Sequence, residues 1–180
     1  KGKGASVKAR IAIKLLIIGI AIVVADTAIK AFVDATIPMI SLATTRAFPY
    51  GGIAVFENFY GISFAINHST NTGAAWGMFG SYQLPLIIIR ITAIVMMTWY
   101  VFLYRKESSW FVPFTIIIAG AIGNVVDFFV YGHVVDMFHF ILWGYSYPVF
   151  NVADMAICLG ALSLVIVIWW QKHFCKTTEK

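Results

Sequence analysis

Four stretches of about twenty largely apolar residues, each long enough to cross the hydrocarbon core of a bilayer, constrain this 180-residue chain more than any other feature. They run from Ile11 to about Phe32, from about Leu84 to Tyr104, from about Trp110 to Tyr131 and from about Val149 to Trp170. Charged residues make up 12% of the chain against 61% hydrophobic, about half the charge of a soluble domain, so lipid is the solvent for most of the surface. The first stretch exceeds the roughly 7–15 apolar residues of a cleaved signal peptide and carries Asp26 and Lys30 near its far end, and it is expected to be a retained helix. No linker-like segment or internal repeat divides the sequence. The expectation is one domain over residues 1–180: an all-α, four-helix membrane bundle with a small extracytoplasmic β-structured insert at about residues 33–83.

The cations give the bundle a direction. The net charge is +5, but the basic residues are gathered between and beyond the spans rather than in a groove for nucleic acid, and no nucleic-acid partner is expected. Lys1, Lys3, Lys8, Arg10 and Lys14 precede or open the first span, Arg105 and Lys106 separate the second from the third, and Lys172, Lys176 and Lys180 follow the fourth. Four spans place all ten on one face, which is cytoplasmic by the positive-inside bias, with both termini there. Lys30, Arg46 and Arg90 are the exceptions.

Two segments then face outward. In the first, Ile37-Pro38, Phe48-Pro49 and Tyr50-Gly51-Gly52 mark turns, and Ile53 to Phe56 and Ile62 to Ile66 are rich in strand formers. Its aromatics, Phe56, Phe59, Tyr60, Phe64, Trp76 and Phe79, suit the membrane–water interface. The second, about Gly132 to Pro148, carries Trp143, Tyr145 and Tyr147 and is expected to form a short interfacial helix or loop.

Four of the eight acidic residues, Asp26, Asp127, Asp136 and Asp154, fall in or at the ends of spans toward the outer face. A carboxylate in hydrocarbon costs at least about 2.5–3.5 kcal/mol, and such residues usually face a polar cavity. Asp26 and Lys30 are one turn apart and positioned to pair. Asn124 and Asp127 share a face of the third span, with Gly120 and Gly123 alongside to permit close helix approach. Asp136 and Asp154 come from different spans at similar depth. Two close carboxylates tend to share one proton, so that one activates water while the other donates to the scissile carbonyl or leaving amine. Proton relay in a small transporter is the rival use of the same groups, and a non-catalytic assembly role is a third. His68, His133, His139 and His173 are not paired with Ser or Cys in a nucleophile motif; His133 and His139 read as interfacial polar residues. Cys158 and Cys175 lie at different depths and read as free thiols, and no Cys/His spacing suits zinc.

Five segments, in order, carry a resemblance: Asp26-Thr-Ala-Ile-Lys30, Asn71-Thr-Gly-Ala-Ala-Trp76, Gly123-Asn-Val-Val-Asp127, Gly132-His-Val-Val-Asp136 and Phe150-Asn-Val-Ala-Asp154. Together with four spans they resemble the lipoprotein signal peptidases (signal peptidase II), aspartyl proteases of the bacterial inner membrane, over about residues 10 to 170. The resemblance implies removal of signal peptides from prolipoproteins immediately before a cysteine carrying diacylglycerol, at a site near the outer leaflet. It assigns catalysis to Asp136 and Asp154, substrate contacts to Asn71, Asn124 and Asn151, and support of the site to Asp26, Lys30, Gly73, Gly123 and Asp127. It also implies a β-cradle between spans one and two, a periplasmic helix before span four and inhibition by the cyclic peptide globomycin. The two-carboxylate chemistry calls for no metal or organic cofactor, membrane lipid is the expected surroundings, and a monomer is expected because no second interface motif is evident. One position departs from the pattern: Phe128 follows Asp127 where the family usually has Arg. Arg90, an unusual charge within span two, is a candidate to supply the missing cation.

Overall fold

A computed structural model describes residues 2–40, 51–73, 82–104 and 108–175. The turns expected at Phe48-Pro49 and Tyr50, residues 74–76 of the second motif, Phe79, and the cations Lys1, Arg46, Arg105, Lys106, Lys176 and Lys180 lie outside the described residues. Helix α1 spans Gly2–Thr36, α2 Gln83–Tyr104, α3 Phe111–Tyr131 and α4 Val152–Trp170. All four are long and apolar enough to cross a membrane, and each is continuous, without the broken midplane helices of transporters. Large apolar side chains point outward along them, including Leu16, Ile20 and Val24 on α1, Val95 and Met96 on α2, and Leu159 and Leu162 on α4. Water would penalise that surface, and lipid does not.

Helix–helix contact is therefore made by small residues. A methyl group added at Gly120 would stand 2.5 Å from the Ala153 carbonyl oxygen, and one at Gly123 2.5 Å from Asp26 Oδ2 and 3.2 Å from the Ala153 Cβ. Only hydrogen fits, so α3 carries the close approach to α4 and α1 that its sequence predicts. At the end remote from the site, Val101, Trp110 and Phe114 form a small core with Leu164 and Val167.

The sheet departs from expectation. Strands β1 (Gly52–Phe59) and β2 (Ile62–Asn71) form the predicted hairpin between α1 and α2. The segment after α3 supplies two more strands, β3 (Val134–Leu142) and β4 (Tyr145–Ser146), in one antiparallel sheet of order β1-β2-β3-β4. The short helix or loop expected between the third and fourth spans is thus a hairpin, and the protein is not all-α with an isolated insert. Val134, Asp136, Phe138 and Phe140 alternate with Val135, Met137, His139 and Ile141, a period of two that suits a strand. The turn was harder to foresee, because Trp143 (φ 49°) and Gly144 (φ 85°) both take positive φ. Such a two-residue turn usually announces itself as Asn-Gly or Asp-Gly.

Each face of β3 has its own partner. Val135 and Met137 are fully buried against Val33 and Ile37, one helical turn apart at the C-terminal end of α1. On the other face Phe140 stacks on Phe64 (centroids 4.4 Å) and on Phe150 (6.1 Å). The α4 span also begins later than expected. Val149 to Asn151 is extended, and Phe150 bridges Phe138, receiving at its oxygen the N–H of Met137 (3.0 Å) and of Phe138 (2.8 Å).

Gly120→Val is expected to lower the melting temperature of the detergent-solubilised protein, because overpacking a closed contact costs typically about 1–3 kcal/mol. Gly132→Ala, where an added methyl meets open space but φ is +76°, is expected to cost about 1 kcal/mol from backbone strain alone. Thermal unfolding of the two variants checks both.

Candidate active site

Asp26, Lys30, Asn124, Asp127, Asp136 and Asn151 are all buried at the sheet end of the bundle. Lys30 is the hub, with no exposed surface. Its ammonium contacts Asp26 Oδ2 at 2.6 Å and Asp127 Oδ2 at 2.7 Å, and donates to Asn124 Oδ1 at 3.1 Å. Its three N–H donors therefore meet three acceptors. The pairing of Asp26 with Lys30 expected from their i, i+4 spacing is present, and Asp127 joins it from α3.

The two carboxylates of this cluster also hold backbone. Asp26 Oδ1 accepts the N–H of Ala153 at 2.8 Å, and Asp127 Oδ2 accepts the N–H of Val135 at 3.2 Å. Ala153 and Val135 are the residues immediately before Asp154 and Asp136. The Ala153 N–H belongs to the first turn of α4, where amides lack intrahelical partners. A carboxylate also suits the positive end of that helix.

Asparagines complete the framework. Asn151 caps α4, its Oδ1 accepting the Asp154 N–H at 2.8 Å while Asp154 Oδ2 accepts the Asn151 N–H at 3.3 Å, a reciprocal capping box. Asn151 Nδ2 donates to Asp136 Oδ1 at 2.7 Å and to Asn124 Oδ1 at 3.1 Å. Asn124 Nδ2 donates to Asp154 Oδ1 at 2.9 Å. Each of the two aspartates is thus oriented by an asparagine, and the asparagines are bonded to each other and to Lys30. Asn71, at the end of β2, hydrogen-bonds Asp136, and its Oδ1 accepts the Gly73 N–H at 2.9 Å in a tight turn.

Asp136 and Asp154 open onto one cavity of about 410 Å³, lined also by Asn71, Asn124 and Arg90. Asp136 retains only 3% of its exposure, whereas Asp154 is half-buried. Burial first, and then the charge of Asp154, push the Asp136 carboxyl up to about 7, against the hydrogen bonds from Asn151 and Asn71 and the charge of Lys30.

The other candidates lie elsewhere. His133 and His139 do not line the cavity. Burial holds the His139 imidazole below its usual range; its Nδ1 receives Asn67 Nδ2 at 2.9 Å, leaving Nε2–H to donate to Ser146 Oγ at 2.8 Å. Phe128 is not among the lining residues and packs edge-on against Phe129. Arg90 does line the cavity, donating from Nη2 to the Gly73 carbonyl oxygen at 2.8 Å. Sequence reading missed the apolar lining. Met155, Ile157 and Cys158 share the cavity wall with Asp154, and the i, i+3 and i, i+4 spacing of the last two is the signal that finds them. Tyr147 and Phe150, also in the wall, come from the extended segment and carry no such periodicity.

Residues 18–170 match the family model described as signal peptidase (SPase) II. The chain belongs to the signal peptidase II family. Among curated relatives, a lipoprotein signal peptidase of Xylella fastidiosa is 34% identical over 90% of this chain and 92% of its own. Those of Chlamydia pneumoniae and Chlamydia muridarum are 40% and 35% identical over 66% and 75% of this chain, and 70% and 83% of their own. Two solved bacterial membrane enzymes, determined by the in meso method at 2.3 and 1.9 Å resolution, superpose with TM-scores of 0.74 and 0.67 at 23% and 24% identity. The first likeness covers 93% of both chains, the second 86% of this chain and 92% of the other. The fold of these two membrane enzymes thus extends to this sequence, with its four helices and its small sheet.

Lys30→Met leaves two buried carboxylates without their cation and is expected to destabilise the protein by about 3–5 kcal/mol. Adding Asp26→Asn and Asp127→Asn should recover a large part of the loss, as read by thermal unfolding in detergent. A second expectation concerns pH. The folded-state pKa of Asp136 lies above its ordinary value of 3.8, so its proton stabilises the fold at low pH and that contribution is lost as pH rises toward 7 and beyond. Between pH 5 and 8 the wild type should lose about 2–3 kcal/mol relative to Asp136→Asn, two pH units at about 1.36 kcal/mol each. Parallel melting curves of the two proteins check the sign.

Proposed function

We propose that this chain is a membrane aspartic endopeptidase that removes the signal peptide from diacylglyceryl-modified prolipoproteins, cutting before the lipidated cysteine. The observation that carries the reading is the meeting of Asp136 and Asp154, from β3 and α4, on one cavity, each oriented by an asparagine side chain. Family membership adds a peptidase activity to that geometry.

In the proposed reaction a water molecule lies between the two carboxyl groups. Asp154, the more open of the pair, takes a proton from the water as its oxygen attacks the scissile carbonyl carbon. Asp136 holds the shared proton and gives it to the carbonyl oxygen, forming a neutral tetrahedral diol. Collapse of the diol breaks the C–N bond, with the proton on Asp154 passing to the leaving amine and a diol proton returning to Asp136. Asn71 and Asn124 line the substrate path; Asn151, expected beside them, is fully buried and not among the lining residues, and acts through its hold on Asp136 and on the Asp154 amide. Asp26, Lys30, Gly73, Gly123 and Asp127 support the site.

The setting follows from the same chemistry. A diacylglyceryl cysteine does not leave the bilayer readily, at about 0.8 kcal/mol per buried CH₂, so cleavage takes place at the membrane. Arg10 and Lys14, in the N-terminal part of α1, and Lys172, just after α4, lie toward the end of the bundle remote from the sheet, and the positive-inside bias supports a cytoplasmic position for that end and a site near the outer leaflet of a bacterial inner membrane. The enzyme acts as a monomer, with membrane lipid around it, and is expected to be blocked by globomycin.

Asp136→Asn and Asp154→Asn are each expected to lower cleavage of a diacylglyceryl precursor by at least about 10²–10⁴-fold while the protein still folds. A gel-shift assay in proteoliposomes, with globomycin as a control, measures it. Normal turnover by either variant would remove the assignment.

A further inference from the structure

Among the described residues, two cations stand at the sheet end of the bundle, and they are used differently. Lys30 is fully buried, with its three donors on protein acceptors. Arg90 sits two turns into α2, at membrane depth, where a cation is costly. Its guanidinium lines the cavity beside Asn71, Asp136 and Asp154. Among the described residues its hydrogen bond is to one acceptor, the Gly73 carbonyl oxygen at 2.8 Å. A guanidinium carries five N–H donors in a planar fork, so the fork is anchored at one tine and has others for the cavity.

The cavity's own charge decides what those donors meet. Two carboxyl groups, Asp136 and Asp154, line the cavity, so a carboxylate or phosphate ligand would place a further acidic group beside them. A neutral carbonyl does not, and Gly73 already provides an acceptor of that kind. A signal peptide must unwind to be cut, and its carbonyls then lose their helical partners at a depth where an unpaired backbone group costs several kcal/mol. Resting on the peptidase reading above, we propose that Arg90 is a substrate-positioning residue whose guanidinium hydrogen-bonds a main-chain carbonyl of the unwound signal peptide. The bond to Gly73 fixes the fork against the end of β2, so that the peptide is held in extended form past Asn71 and Asp136.

The test is steady-state cleavage of a diacylglyceryl precursor in proteoliposomes by wild type, Arg90→Gln and Arg90→Lys, with melting temperatures measured in parallel. A hydrogen bond from a charged donor is worth about 1.5–3 kcal/mol. Arg90→Gln should accordingly raise KM about 10–100-fold with kcat within about fivefold, and Arg90→Lys should recover part of the loss. Asp154→Asn/Arg90→Gln should also bind the precursor more weakly than Asp154→Asn alone. An unchanged KM, or a lowered melting temperature with KM unaltered, overturns the proposal. If Arg90→Gln does not fold, Arg90→Lys decides: a raised KM at wild-type melting temperature supports the carbonyl contact, and a wild-type KM overturns it. An effect that appears only in vesicles containing anionic lipid would assign Arg90 to a headgroup phosphate and also overturn it. Failure of the wild type to cleave would instead sink the peptidase reading, so the two failures are distinct.

Discussion

The ammonium of Lys30 is the contact on which the rest of this structure depends. It holds Asp26 and Asp127, from two different helices, in an apolar bundle where an unpaired buried charge is costly. Those carboxylates in turn accept the backbone N–H groups of Ala153 and Val135. One buried charge cluster therefore sets the positions of the two chain segments that carry Asp154 and Asp136. Its third donor fixes Asn124, and Asn124 fixes Asp154. The arrangement resembles a metal centre in its logic: a central cation organises ligands from distant parts of the chain, and those ligands organise the two carboxyl groups proposed to react.

A burial gradient across the dyad follows from the two scaffolds. Asp136 projects from a strand whose neighbours Val135 and Met137 are sealed against α1, so little solvent reaches it. Asp154 lies in the first turn of a helix whose side faces the cavity. Equivalent side chains thus meet different dielectric surroundings, the condition under which two carboxyl groups take up different roles. The glycines of α3 make this possible by letting α1 and α4 approach closely enough for a side chain of one to reach the backbone of the other.

The sheet links these events to the surface. β2 brings Asn71, β3 brings Asp136, and Phe150 stitches the start of α4 onto β3. Because the sheet draws strands from both long inter-span segments, the β2–β3 pairing brings the strands that carry Asn71 and Asp136 side by side. Arg90 reaches the same region from α2 through the Gly73 carbonyl, so each of the four helices and two of the strands contribute a group.

Much of this was readable in the chain itself. The length of the apolar runs fixed the four spans, because a helix must be about 30 Å long to cross hydrocarbon. The cost of placing a carboxylate there marked Asp26, Asp127, Asp136 and Asp154 as working residues, and i, i+4 spacing paired Asp26 with Lys30. Tertiary structure decided what spacing does not encode. Strand pairing between segments some seventy residues apart made one sheet of two inter-span pieces, since a partner strand leaves no mark on the strand it will meet. The joining of Asp127 to Lys30, the capture of the Ala153 and Val135 amides, and the entry of Arg90 into the cavity all depend on how helices cross. Local sequence determines which side chains are polar in lipid, and only the packed bundle determines which of them meet.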